Sequence, residues 1–418
     1  MSKQPEVDAD RLLASVADFA TIGATPAGGV NRQALSLEDR AARRLLAERA
    51  LARGFTVFQD DIANLFIRRE GRATALPPLL IGSHLDSQPT GGRFDGALGT
   101  LSAFEVLEAL ADAGIETERA VEVVAFTNEE GSRYSPGCMG SMAFAGVGTT
   151  SDWASTLATD GAQLADELAT TLAALPEAVV RPIGHAISAF VELHIEQGPI
   201  LEQEDVPIGV VTAVQGTKWL EVVFSGVAAH AGTTPLEFRK DPMSAAAAAI
   251  ASLQSSVMPA DPEARLTVGR IAAEPGSINV IPRSVTFTVD IRHPDAATLA
   301  AIDQQVREEC TAVGARWNCD VTISQRVDMT PGRFSPSMTE TIEEACNALG
   351  LKSRQMVSGA FHDALFVSRL APTAMIFVPC RNGISHNEAE FVTDTHMISG
   401  ARVLLKVVES LAIIGQTV

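Results

Sequence analysis

Three of the chain's eight histidines, His84, His194 and His386, follow apolar runs or lie in glycine-rich loops beside carboxylates. Asp95 lies in Gly91-Gly-Arg-Phe-Asp-Gly96, whose glycines permit tight backbone geometry. Glu129 and Glu130 together end another apolar run. In an extended backbone their side chains point to opposite faces, so one carboxylate is free to ligate a metal while the other faces a substrate. Neutral imidazoles with carboxylates suit Zn²⁺, Mn²⁺, Co²⁺ or Ni²⁺, and a carboxylate shared between two ions suits a dinuclear hydrolytic centre. Any one of these histidines alone reads as a satisfied polar group at a strand end. Three of them, with Asp and Glu beside them at one sheet edge, read as a centre.

The elements that must position these residues follow from the pattern. Ser36-Leu-Glu-Asp39 resembles a capping box, and the helix it opens runs to Arg53 before Gly54. Extended segments at 56–58 and 64–68 precede an apolar strand, 79–82, that delivers His84 and Asp86. A helix at 97–113 leads to a second buried strand, 121–126, ending in Thr127-Asn-Glu-Glu130. One or two helices at 151–174 and a strand at 190–193 then bring in His194. Strands alternating with helices predict a mixed α/β sheet covered by helices. Ligands of such sheets collect beyond the carboxyl ends of the strands, where these polar clusters fall.

After Gln215 the texture changes to strand 218–225, helix 243–256, strands 266–271 and 285–292, helix 296–313 and strand 319–327. This β-α-β-β-α-β order is a self-contained, ferredoxin-like split βαβ unit. Pro331-Gly332 is a natural hinge, and strand 374–378 and a terminal helix, 396–413, resume the first texture. The expectation is a catalytic domain at 1–214 and 331–418 with a second domain, 215–330, inserted into it.

Lys+Arg 32 against Asp+Glu 51 gives a net charge of -19, a field that repels polyphosphate and anionic lipid. Nucleic-acid and membrane partners are therefore excluded, whereas a pocket with local positive charge still accepts a small anion. Residues 1–20 lack the basic and apolar regions of a signal peptide, and the alanine-rich 244–251 is too short to span a bilayer. Five cysteines without CxxC spacing fit free thiols, so a cytoplasmic location is expected.

Seven motifs occur in one order: Gly82-Ser-His-Leu-Asp-Ser87, Phe94-Asp-Gly96, Asn128-Glu-Glu-Gly131, Glu192-Leu-His-Ile-Glu-Gln-Gly198, His230-Ala-Gly-Thr-Thr-Pro235, Asn279-Val-Ile-Pro282 and Gly383-Ile-Ser-His386. From about residue 10 onward the chain resembles the M20 metallopeptidase-like amidohydrolases. Within them it resembles the branch of N-carbamoyl-L-amino acid hydrolases, β-ureidopropionases and allantoate amidohydrolases. The resemblance implies two divalent ions per subunit: His84, Asp95 and His194 for one, and Asp95, Glu130 and His386 for the other, with Asp95 as the bridge. It implies that Asp86 fixes the outer nitrogen of His84, and that Glu129 is the general base. His230 would stabilise an oxyanion, Asn279 would bind substrate, and Arg292 would hold a substrate carboxylate bidentately. A salt bridge with Asp290 or Asp295 is the structural alternative for that arginine. Gln215 is similar to a pocket residue of the family. Where the family loop reads Ser-Gly-Ala-Gly-His-Asp-Ala, this chain has Ser358-Gly359-Ala360-Phe361-His-Asp-Ala364, and Phe361 implies a tighter, more aromatic pocket.

The resemblance further implies a homodimer joined through the inserted domain, which also acts as a lid over the site. It implies a small ureido or amide substrate bearing a carboxylate. A dipeptidase or aminoacylase of the wider family, and a catalytically silent binding protein on the same fold, are the competing expectations. The first would place an Asp where His194 stands, and the second would have lost ligands or the base.

Overall fold

Four apolar runs are buried along their whole length: Leu79–His84, Val121–Phe126, Ala189–Ile195 and Thr373–Val378. A strand covered on both faces needs such a continuous run. In the computed structural model, which describes residues 4–413, these four lie side by side and parallel. Their order is Thr373–Val378, Ala189–Ile195, Leu79–His84, Val121–Phe126, and their carboxyl ends therefore share one edge. They are the middle of a ten-stranded mixed sheet. On one side Leu65–Arg69 and Thr56–Gln59 continue it in antiparallel fashion, and on the other Ile208–Val214 pairs antiparallel with Thr373–Val378. Helices Leu37–Ala52, Ala97–Asp112, Pro336–Ala348 and Asp394–Val408 pack into the same core.

Local signals explain most boundaries. Ser36 caps Leu37–Ala52 by accepting from the Asp39 amide, but only half of the expected box forms. The Asp39 carboxylate turns instead to the Leu35 amide at 2.8 Å and to Arg43 Nε at 2.9 Å, in a fully buried pair. Arg43 also reaches the Ala63 carbonyl and, at 3.2 Å, the hydroxyl of Thr127, the first residue after Val121–Phe126. The helix Ala9–Ala20, whose Leu12, Val16 and Phe19 face the core at helical spacing, is an addition to the elements expected from the sequence, where the charges around it obscure the pattern.

The chain divides into two units, one running to Thr212 and resuming at Arg333, the other spanning Ala213–Gly332. The smaller unit is an antiparallel sheet ordered Arg265–Thr267, Ser284–His293, Gly216–Ser225, Asp320–Met329. Helices Pro242–Ser256 and Ala296–Arg316 bury its alternate residues Val285, Phe287, Val289 and Ile291, giving the unit a core of its own. The strand expected at 266–271 is two strands, Arg265–Thr267 and Ile271–Glu274, because the chain leaves the ladder at Val268-Gly-Arg270. The five cysteines are free and buried, and no helix among the described residues is long and apolar enough to cross a membrane.

Removing Arg43 leaves Asp39 charged and buried with one partner fewer. Arg43→Ala is expected to destabilise the larger unit by about 3–5 kcal/mol in urea denaturation. A loss of less than about 1 kcal/mol, the scale of an exposed pair, would show that Asp39 relaxes toward solvent.

Candidate metal centre

Each of the four parallel strands hands a residue to the shared edge. His84 closes the first. Its Nδ1 lies 2.9 Å from the Asp86 carbonyl, which can only accept, so Nδ1 carries the proton and Nε2 keeps its lone pair. His194 is held in the same way by the Ile195 carbonyl at 2.9 Å. Asp95, on the loop before Ala97–Asp112, sets Oδ1 3.0 Å from His194 Nε2 and 3.9 Å from His84 Nε2. Its other oxygen, Oδ2, lies 3.4 Å from His386 Nε2, and Glu130 Oε2 is 3.3 Å from that same nitrogen. Two ligand sets result, His84–Asp95–His194 and Asp95–Glu130–His386, each with its donor atoms within 4.8 Å of one another. Asp95 belongs to both.

Two expectations need correction. Glu129 and Glu130 are not in an extended segment, because Asn128 takes a left-handed φ of +56° and bends the chain after Phe126. Both carboxylates consequently turn toward the cluster, Glu129 Oε2 to within 3.5 Å of His84 Nε2. Nor does the Asp86 carboxylate hydrogen-bond His84, from whose Nδ1 it stands 3.8 Å away. It accepts instead from the amides of Glu129 and Glu130, at 3.3 and 3.2 Å, and so clamps the bend that carries them. The imidazole is fixed by the Asp86 backbone.

Other groups support the two sets; of these, only His362, with Asp363, is expected from the sequence, as part of the hydrogen-bond network of its loop and not as a ligand. Gln88 binds Glu130 through its amide, at 3.1 Å, and its side chain, at 2.7 Å. Gln197 donates to Asp95 Oδ2 at 2.9 Å. Glu192 accepts from Ser83 Oγ at 2.7 Å and the Ala364 amide at 3.0 Å, and His362 Nε2 lies 2.8 Å from Ser358 Oγ with its ring against His194. Gln197 and Glu192 both lie in the motif Glu192-Leu-His-Ile-Glu-Gln-Gly198 that carries His194. Gly359 is exposed, and Ala360 and Phe361 are half-buried, on the loop that leads to His362.

On the smaller unit, Ala229–His230 pairs with Val280–Ile281, which brings His230 and Asn279 together through the Ala231 amide and the Asn279 carbonyl, 3.0 Å apart. The exposed His230 ring accepts the amides of Gly232 and Thr233 on Nδ1, at 3.1 and 3.2 Å, so its proton sits on Nε2. Arg292 takes its structural alternative in part, bonding Asp290 through Nη2 at 2.9 Å and Nε at 3.2 Å. Gln215 is buried on this unit, its Oε1 without a hydrogen-bond partner.

Residues 80–410 match the model of peptidase family M20/M25/M40. The chain belongs to this family. It is 40% identical over 402 residues, 96% of each chain, to N-carbamoyl-L-amino-acid amidohydrolase of Rhizobium meliloti. It is 35% identical to allantoate amidohydrolase of Escherichia coli K12, over 94% of this chain and 96% of that one. An amidase of the hydantoinase/carbamoylase family from Burkholderia multivorans superposes with a TM-score of 0.92 at 44% identity, covering 98% of both chains. This M20 chain is thus an enzyme of the amidohydrolase branch, a hydrolase of C–N bonds other than peptide bonds.

The donor set of this M20 hydrolase fits divalent cations. At the ~2.1 Å bonds of imidazole and carboxylate ligands, the edge of a tetrahedral site is about 3.4 Å. The four Asp95, Glu130 and histidine separations, 3.0, 3.9, 3.4 and 3.3 Å, bracket it. His84 Nε2 is buried without a hydrogen-bond partner and faces a carboxylate, so acceptor meets acceptor and a cation belongs between them. The electrostatics agree. Burial, reinforced by neighbouring carboxylates, pushes Glu129 and Glu130 well above the usual range. Burial lowers His84 to about 4, whereas at His194 the opposing pull of Asp95 outweighs burial and raises it to about 9, so that ring would give up a proton on Nε2 when a cation binds.

Gly96 makes the close approach possible. Its φ is +61°, and a Cβ there would lie 2.2 Å from the His84 ring. Gly96→Ala is expected to fold but to bind Zn²⁺ or Mn²⁺ roughly 10- to 100-fold more weakly in equilibrium dialysis. Native affinity would mean that His84 can yield without losing its aim.

Proposed function

We propose that this enzyme hydrolyses N-carbamoyl amino acids, or allantoate-like ureido acids, at a centre of two divalent ions. The observation that carries the two-ion reading is Asp95, whose oxygens face different ligand sets 3.0–3.9 Å and 3.4 Å away. The ureido substrate rests on the names of the relatives at 35–40% identity. Bound ions would supply Lewis acidity, lowering the pKa of water and polarising the scissile carbonyl.

Glu129 is the proposed base. It lies beside His84 Nε2, ligates neither set, and its raised proton affinity suits a group that must take a proton and return it. It removes a proton from the attacking water as the new C–O bond forms at the carbamoyl carbon. The C–N bond to the amino acid then breaks, and Glu129 delivers the proton to the leaving nitrogen. The carbamic acid released decays to CO₂ and ammonia. His230, with its proton on Nε2, is the proposed donor to the oxyanion. Arg292 is the proposed holder of the substrate carboxylate, shared with or taken from Asp290.

A homodimer through the smaller unit belongs to the same proposal. Leu236, Phe238 and Ile278 stand strongly exposed on the loops that carry His230 and Asn279, and a second copy would cover them.

The decisive assay is ammonia release by metal-loaded enzyme from N-carbamoyl α- and β-amino acids and allantoate, beside N-acyl amino acids and dipeptides. Chelator-sensitive release from a ureido compound is expected. Silence there, with free amine appearing from acylated substrates, would reassign the enzyme to aminoacylase chemistry. Glu129→Gln should lower kcat by about 10²- to 10⁴-fold with metal content unchanged. Turnover near the native rate would remove Glu129 as base. Arg292→Ala should raise KM for carboxylate substrates with little change in kcat, and an unchanged KM would place the carboxylate elsewhere.

A further inference from the structure

We propose that Glu390 is a positioning residue that locks Asp95 and His386 into one geometry, so that the ion of the Asp95–Glu130–His386 set depends on it. The inference rests on the two-ion reading and adds to it a residue outside both ligand sets.

The three ligand histidines are aimed by different means. His84 and His194 are buried, and each has Nδ1 tied to a backbone carbonyl. His386 is half exposed at its side chain and sits in left-handed backbone, φ +53°. Its direction is therefore set by the loop that bears it, and that loop needs an anchor.

Glu390 is that anchor. It is buried, and Oε1 accepts the amides of both Phe94 and Asp95 at 3.1 Å. Oε2 lies 3.1 Å from the hydroxyl of Ser385, the residue before His386, and the same hydroxyl lies 3.0 Å from Asp95 Oδ2. The Glu390 amide donates to the Asn387 carbonyl at 3.0 Å, closing the turn between them. One carboxylate thus touches the backbone of the bridging aspartate, and through Ser385 it reaches that aspartate's outer oxygen and the His386 loop. Room for it is reserved: a Cβ on Gly92 would lie 2.1 Å from Glu390 Oε1. The inner face of Asp95, Oδ1 toward His194, has no link to Glu390 among these contacts.

The test is titration of the full-length, metal-free protein with Co²⁺, followed by calorimetry and by the absorption of the bound ion. The native chain should bind two ions, and His386→Ala identifies which step belongs to the outer set. Glu390→Ala should weaken that same step by roughly 10- to 100-fold, the usual penalty for losing a group that orients a ligand, while leaving the other near native. Glu390→Gln keeps an oxygen for the two amides and should restore most of the loss. Gly92→Ala displaces the carboxylate without removing it and should reproduce the selective weakening. It decides the matter should Glu390→Ala fail to fold. Native affinity at both steps in Glu390→Ala and Gly92→Ala, or equal weakening of both, would overturn the proposal. A native chain that binds a single ion would overturn the two-ion reading itself, and this proposal with it.

Discussion

Asp95 imposes the constraint to which the larger unit conforms. A single carboxylate, 5% exposed, must present one oxygen to His84 and His194 and the other to His386 and Glu130. Since it has only one backbone position, the other ligands have to come to it. Adjacent parallel strands, about 4.8 Å apart, bring His84 and His194 in from the same edge, with ring centroids 5.9 Å apart. The bend at Asn128 turns Glu129 and Glu130 inward from the next strand, and the long loop after Thr373–Val378 returns His386 to the outer oxygen. A glycine follows Asp95 because the His84 ring occupies the space of a side chain. The parallel order of the four central strands is the requirement of this carboxylate expressed as topology.

The same requirement concentrates negative charge. Asp86, Asp95, Glu192, Asp363 and Glu390 are all buried around one edge, and Glu129 and Glu130 are nearly so. Several of them bind backbone amides instead of cations: Asp86 holds the amides of Glu129 and Glu130, Glu390 those of Phe94 and Asp95, and Glu192 that of Ala364. A carboxylate that accepts two successive amides fixes a turn without a bulky side chain, which leaves the interior of the site free for donors. Its drawback is repulsion, which adds to burial in raising the proton affinities of Glu129 and Glu130. Divalent cations relieve that repulsion, so binding energy and folding energy are linked in this edge of the sheet.

How much of this could be read from sequence depended on the range of each interaction. His84, His194, Asp95, Glu129 and Glu130 were legible because they follow apolar runs or sit between glycines, and both signals are local. The geometry of Glu129 and Glu130 was misread because a positive φ at Asn128 is invisible in a pattern of polar and apolar residues. The resemblance assigns the Asp86 side chain to His84, whereas its carbonyl lies nearer to Nδ1 and the carboxylate reaches the amides of Glu129 and Glu130. Glu390 acts on residues some three hundred positions away through their amides, for which no side-chain motif exists. The same holds at the margins of the fold. The edge strand Ser353–Ser358, only partly buried, carries a weaker signal than the central strands.

The histidines show how the backbone, without any change of residue type, selects between two kinds of chemistry. An imidazole in its neutral form has one donor and one acceptor nitrogen, and whatever meets the first decides the use of the second. At His84 and His194 the neighbour is a carbonyl, so Nδ1 carries a proton and Nε2 is the nitrogen that faces Asp95, available to a cation. At His230 the neighbours are two amides, so Nδ1 is spent as an acceptor and Nε2 keeps its proton. The first arrangement makes a ligand for a cation, and the second makes a donor for an anion. Exchanging them would disable both, because a protonated Nε2 cannot ligate and a bare one cannot donate to an oxyanion. The carbonyls come from Ile195, the last residue of its strand, and from Asp86, two residues past the end of another. The amides come from Gly232 and Thr233, in a tight turn where successive N–H groups converge. For these three rings the group that meets Nδ1, a carbonyl or a pair of amides, therefore decides whether Nε2 is suited to a cation or to an anion.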